Sequence, residues 1–303
     1  MLAPVIAAVD GSAESLAAAE WAAREAVRRN RPLKLVHVWN WHPRQDGEPA
    51  TAAQRHLARR CLHRAEERIQ RTCPGVGVEE EQVEGPATAA LLRAAARADL
   101  LVLGSRGLSG FTGFVVGSVA LGVVARAARP VVLVRADETA TDEHVPAARG
   151  QDSARDSTRT PGRDVVLGLD LGDPCDEVIE FAFEAARLHH ARLRVVHAWQ
   201  QPSAIALGPG DIGLVQKPRR ADEWLGFMTA VLQVWREKYP EADVVETVTE
   251  GRPQSVLVRA ASGASLLVVG RRVTDRPAGP RTGPVAHAAI HHVGCPVAVV
   301  PHD

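Results

Sequence analysis

Residues 99–118, DLLVLGSRGLSGFTGFVVGS, decide how this chain is read. Apolar residues run into Gly104, two residues separate it from Gly107, nine more lead to Gly117, and Ser118 follows at once. An apolar strand entering a glycine-rich loop, with a serine ahead of a helical pattern, is an arrangement that holds an anion on backbone N–H groups. Glycines at 104 and 107 permit positive φ and leave no Cβ between those N–H groups and the anion. Ser118 is expected to cap the helix SVALGVVARAA, whose unpaired amides and positive dipole end would face the same anion. Arg106, inside the loop, adds a guanidinium able to pair with phosphate oxygens.

Outward from this stretch, PVIAAV at 4–9 is a short apolar run stopped by Asp10-Gly11-Ser12, a buried strand ending at a turn. From Ser12 to Asn30 the residues Leu16, Ala19, Ala23 and Val27 recur at helical spacing. LKLVHV at 33–38 reads as a second strand, about 51–71 as a long helix, and GVGVEEEQVEG as an exposed third strand. A helix over 88–98, a strand over 100–103 and a fifth strand over 131–134 complete the unit. Strands separated by helices predict an α/β fold with a mostly parallel sheet covered on both faces.

Residues 136–163 hold almost no large apolar side chains and cannot bury enough surface to offset their ordering entropy, so they read as a linker. Beyond them the plan recurs. DVVLGLD at 164–170 repeats PVIAAVD, LRVVHAW at 193–199 repeats LKLVHVW, and GCPVAVV repeats ARPVVLV. Gly270, Val273 and Gly283 stand 166 residues after Gly104, Gly107 and Gly117. The chain is therefore an internal duplication, with domains at 1–135 and 164–303. The second copy carries an extra stretch at 201–220 and a degenerate cradle. Val273 replaces Gly107 and resists positive φ, while Pro284 replaces Ser118 and offers neither N–H nor hydroxyl. Asp170, Gly270 and Gly283 remain, and Arg271, Arg272 and Arg281 supply charge nearby.

The totals exclude several classes. The 36 basic and 36 acidic residues balance, which leaves no electrostatic footprint for nucleic acid. No run approaches the roughly 18 apolar residues of a membrane span, and MLAPVIAAVDGS lacks the basic segment of a signal peptide. A cytoplasmic location is expected. Cys61, Cys73, Cys175 and Cys295 show no short-spaced pairing, so reduced thiols and no metal site are expected. His37 and His197, at matching places on the second strands, read as hydrogen-bonded core histidines. Ser105, Ser109 and Ser118 have no activating base at a telling spacing. No GxxxxGK[ST] segment, no loop lysine for the β- and γ-phosphates and no acidic pair for Mg²⁺ are present, which favours binding over rapid hydrolysis.

Taken together, AAVDGS at 7–12, the strand LVHV, DLLVLGSRG and the G-x2-G-x9-G-S spacing resemble the universal stress protein family. The duplicated chain resembles its tandem members, and the first copy its ATP-binding branch. The resemblance implies two doubly wound, Rossmann-like domains with five parallel strands in the order 3-2-1-4-5. Ligand would sit in the crevice between strands 1 and 4, where the strand order reverses. The fifth strands would join antiparallel as an intrachain pseudo-dimer. Carried over residue by residue, Ala8, Val9, Asp10 and Gly11 line the adenosine site and Val38 contacts the base. Gly104, Ser105, Arg106 and Gly107 wrap the phosphates, and Gly117, Ser118 and Val119 hold them at the helix start. Asp170, Gly270, Arg272 and Gly283 form the weaker second set. The implied function is that of a stress regulator responding to ATP, with or without Mg²⁺, through an unidentified protein partner. AMP or a cyclic nucleotide, slow ATP hydrolysis, a nucleotide-independent interaction module and a homodimer of chains stay open.

Overall fold

The computed structural model describes residues 2–39, 48–105, 116–136, 163–200, 217–273 and 282–303. The expected linker and the extra stretch of the second copy fall almost wholly outside these residues. Strands β1 (Val5–Ala8), β2 (Leu33–Trp39), β3 (Val78–Glu84), β4 (Leu100–Gly104) and β5 (Val131–Val134) alternate with helices α1 (Ala13–Arg29), α2 (Glu48–Thr72), α3 (Ala87–Ala95) and α4 (Ser118–Val124). The second half repeats the order. Its strands are β6 (Val165–Gly168), β7 (Leu193–Trp199), β8 (Val244–Glu250), β9 (Leu266–Arg272) and β10 (Val297–His302). Its helices are α5 (Asp176–Leu188), α6 (Lys217–Lys238), α7 (Pro253–Ala260) and α8 (Pro284–His292).

Local chemistry sets the boundaries. The Ser12 hydroxyl accepts from the Ser15 N–H at 3.2 Å and caps α1. The helix ends at Asn30 in the left-handed region, φ 50°, which asparagine tolerates better than most residues. His190, 160 residues on, repeats that conformation at φ 51°. Helix α3 stops at Ala95 rather than Ala98 because its last turn tightens. The Arg97 and Ala98 N–H groups donate three residues back, to Ala94 and Ala95, and Asp99 then donates to the Pro4 carbonyl to start β4 beside β1.

The ten strands form one sheet in the order β3-β2-β1-β4-β5-β10-β9-β6-β7-β8. Each half therefore has the order 3-2-1-4-5, as the resemblance implied. Neighbours are parallel throughout except β5 and β10, which run antiparallel with Val297 opposite Leu133 and Val299 opposite Val131. Their apolar residues alternate between faces. Val132, Val134, Ala298 and Val300 join a core under α1, α2, α5 and α6, whereas Val131, Leu133, Val297 and Val299 join one under α3, α4, α7 and α8. Each core belongs to a face of the sheet and runs through both halves. The outer strand β3 is largely exposed and acidic, with Glu79 and Glu81 near Lys34 Nζ at 3.3 and 3.5 Å.

Helices α1 and α5 meet over the central strands through a buried charge cluster. Glu25, 1% exposed, accepts from Arg29 Nε at 2.6 Å within its own helix and contacts His189 Nε2 at 2.9 Å across the halves. Arg29 also reaches Glu184 of α5 at 3.2 Å and lies 5.1 Å above the Phe181 ring. Burial alone would raise the Glu25 pKa, but His189, Arg29 and Arg28 overcome it and hold the carboxyl below the usual carboxylate range.

Glu25→Gln removes the fully buried carboxylate that faces Arg28, Arg29 and His189 and should cost about 3–5 kcal/mol in chemical denaturation. Because the folded-state pKa of Glu25 lies below its unfolded value, this contribution is present above the unfolded pKa and lost as the pH falls through the acid range. The stability gap between wild type and Glu25→Gln should therefore narrow between neutral pH and about pH 3.

Candidate functional site

A crevice opens in each half at the carboxyl ends of the strands where the order reverses, between β1 and β4 and between β6 and β9. The first encloses about 270 Å³ and the second about 500 Å³.

In the first crevice β1 delivers Ala8, Val9 and Asp10 to the wall. The Val9 N–H donates to the Val36 carbonyl at 2.9 Å, and His37 Nδ1 donates to the Val9 carbonyl at 2.7 Å. The second strand thus pins the end of the first, and with it the carboxylate that follows. Asp10 Oδ1 accepts from the Ser12 N–H at 2.9 Å and the Ser12 hydroxyl at 2.5 Å. This turn needs Gly11, which has φ 87° and whose hypothetical Cβ would lie 2.8 Å from Cys61 Sγ. Gly11 shapes the turn and stands off the wall. Val38 reaches the crevice from β2, and Gly117, Ser118 and Val119 reach it from the entry to α4. Arg106 and Gly107 lie outside the described residues.

Three expectations about this loop are corrected. Gly104 is absent from the residues with positive φ. It is glycine because α1 lies against it: an added Cβ would sit 2.6 Å from the Glu14 carbonyl carbon and 2.7 Å from Ser15 N. Ser118 does not cap α4. Gly117, at φ −61° and ψ 147°, occupies the cap position without a side-chain bond, and Ser118 is the first helical residue. Ser105 does not line the crevice, since it is 4% exposed and its hydroxyl donates to the Val134 carbonyl at 3.1 Å. Conversely, Ser12, Glu14 and Ser15 of the α1 entry line the wall unannounced. The Asp-Gly-Ser turn was their only sequence signal.

The second crevice repeats the frame and changes the contents. Asp170 Oδ1 accepts from the Gly172 N–H at 2.9 Å, and His197 Nδ1 donates to the Leu169 carbonyl at 3.0 Å, as their counterparts do. Gly270, Arg272 and Gly283 all reach the wall. The Arg272 guanidinium is engaged by the Asp173 carboxylate. Strand β10 has six residues against four in β5, and its extension carries His302 over Gly270, whose hypothetical Cβ would meet the imidazole at 2.9 Å. Gly283 has φ 72° and ψ 157°, a region essentially reserved for glycine, and Pro284 begins α8. Matched glycines, 117 and 283, thus enter their helices by different backbone paths. Cys175 also lines this crevice. Burial and its hydrogen bond to Glu177 push the Cys175 thiol pKa up to about 11, so it is a neutral thiol at pH 7 and a poor nucleophile.

The family model described as the universal stress protein family matches residues 1–135 and 162–301. One universal stress protein of Mycobacterium tuberculosis is 35% identical over 304 residues, covering 97% of this chain and 95% of its own length. Another from that species is 29% identical over 306 residues, covering 97% and 96%. The crystal structure of a universal stress protein from Archaeoglobus fulgidus superposes with a TM-score of 0.70 at 18% identity, covering 99% of this chain and 98% of that one.

The two crevices should answer alanine scanning of their glycines differently. Gly104→Ala, pressed against the α1 backbone, should lose about 1–3 kcal/mol in chemical denaturation. Gly283→Ala should lose about 1–3 kcal/mol through strain at positive φ. Gly117→Ala, at an ordinary φ, should lose only about 0.5–1 kcal/mol as a poorer cap.

Proposed function

The chain belongs to the universal stress protein family, and from that premise we propose that its first crevice binds an adenine nucleotide, ATP with or without Mg²⁺. The observation that carries this reading is the meeting of the Asp10 carboxylate with the Gly117–Ser118 helix entry across one crevice at the strand-order reversal. Asp10 receives the base or ribose, beside Ala8, Val9 and Val38. The first amides of α4 and the Ser118 hydroxyl receive the phosphates, because amides at a helix start have no partner inside the helix. Gly104 lets α1 close on the crevice floor, while Arg106 and Gly107 stand in the sequence where they would wrap the phosphate tail.

The same reading divides the chain into domain 1–135 with an intact motif, linker 136–163 and domain 164–303 with a degenerate one. In the second crevice, Pro284 removes one amide and His302 and the Arg272–Asp173 pair occupy the phosphate end. Asp170, Gly270, Arg272 and Gly283 therefore form a frame for a differently charged ligand.

The function is binding with a regulatory outcome, not turnover. Nucleotide acts by differential affinity, favouring one state of the chain and so changing a surface read by a protein partner. Membership of the family, the neutral Cys175 thiol and a site built from main chain and one carboxylate support this over an enzyme. The protein acts in the cytoplasm; among the described residues no helix is long and apolar enough to cross a membrane.

Isothermal titration of the full chain with ATP, with and without Mg²⁺, should give one site per chain. Asp10→Ala should weaken it at least tenfold, about 1.4 kcal/mol, and Asp170→Ala should change it less than twofold. ADP and AMP release should match a protein-free control. No binding heat and no thermal shift at millimolar ATP would overturn the reading.

A further inference from the structure

At one of the matched positions where the two halves differ, the difference joins the two crevices. Ser105 and Arg271 stand 166 residues apart, directly after Gly104 and Gly270. Ser105 turns back on its own half, to the Val134 carbonyl. Arg271, 5% exposed, crosses into the other half, where Nη1 donates to the Ala125 carbonyl at 3.2 Å and Nη2 to the Ala127 carbonyl. These carbonyls lie at the C-terminal end of α4, where acceptors lack helical partners and the helix dipole favours a cation. Burial pushes the Arg271 guanidinium pKa down, and the groups it bonds are peptide carbonyls rather than a carboxylate. Among the described residues its hydrogen bonds go to main chain, so its role is to hold backbone.

At its other end α4 presents Ser118 and Val119 to the first crevice. The helix has seven residues, with Ala120, Val123 and Val124 buried. At about 1.5 Å per residue it is roughly 10 Å long, short and packed enough to shift as one body. The Arg271 main chain, meanwhile, is part of the second crevice wall, between Gly270 and Arg272, and pairs with Pro301 of β10.

We propose that Arg271 is a positioning residue for the first crevice: gripping α4 from behind, it sets where Ser118 stands and couples occupancy of the first crevice to the β9–β10 wall of the second. The inference rests on the reading of the first crevice as a nucleotide site. Ligand that draws α4 forward pulls on Arg271, and a change in the β9–β10 wall moves α4. Such coupling is reciprocal in binding free energy. At the matching place in the first half, Ser105 donates to the Val134 carbonyl of its own strand β5.

The test uses the full chain as wild type, Arg271→Lys and Arg271→Gln. ATP affinity is measured by titration calorimetry, and hydrogen exchange of β9 and β10 is followed with and without ATP. Arg271→Gln should weaken ATP at least fivefold with an unchanged far-ultraviolet circular dichroism spectrum. Arg271→Lys, which keeps the charge but reaches one carbonyl, should fall between the two and serves if Arg271→Gln does not fold. ATP should slow exchange in β9 and β10 of wild type and leave Arg271→Gln unmoved, an effect that a purely structural bolt would not produce. Wild type that binds ATP while the variants bind within twofold, with the same ATP-induced protection, would overturn the coupling alone. Wild type that binds no ATP would overturn the nucleotide reading, and the coupling with it.

Discussion

Everything in this molecule depends on the antiparallel pairing of β5 with β10. Each half alone would end its sheet in a short strand, the wholly apolar VVLV of β5 or the mostly apolar VAVVPH of β10, with one row of N–H and C=O groups unpaired. Such an edge is open to pairing with any other strand. Joining the two edges removes both at once and makes ten strands one sheet. Because strand residues alternate between faces, it also makes each hydrophobic core continuous through both halves. The remaining edges, β3 and β8, are partly exposed, and β3 carries a run of glutamates that discourages further addition.

The pairing imposes an approximate twofold relation between the halves, and the informative residues are those that break it. Glu25 is buried among Arg29, Arg28 and His189, whereas its counterpart 160 residues on is Ala185. Two carboxylates at such a centre would each have to be ionised beside the other; one carboxylate among cations is satisfied. Arg271 breaks the relation a second time by crossing into the first half where Ser105 stays at home. The longer β10, with His302 over Gly270, breaks it a third time. The halves therefore share a frame and differ in what the frame can hold.

Glycine shows why the candidate site was only partly legible beforehand. A glycine in a sequence signals that a side chain is unwelcome without saying whether φ or a neighbour forbids it. Gly11 is forced by its positive φ and by Cys61, Gly104 by the α1 backbone, and Gly283 by positive φ alone. Gly117 has an ordinary φ. Serine behaves likewise: Ser12 caps a helix as its position suggests, while Ser105 is consumed by a buried carbonyl and Ser118 sits one residue inside the helix it was expected to cap.

Sequence alone determined the strand and helix order, the duplication, the apolar character of the fifth strands and the carboxylate at the end of each first strand. These follow from local periodicity and from self-similarity at a fixed offset, which need no knowledge of distant contacts. Only tertiary structure decided that Gly104 is a packing glycine, that Ser105 is lost to the site, that His302 stands over Gly270 in the second crevice and that Arg271 serves the opposite half. Each of these depends on an atom brought near by the sheet from at least ten residues away, and in the case of Arg271 from the other half of the chain. Periodicity records which face a residue occupies; it carries no record of what stands across from that face.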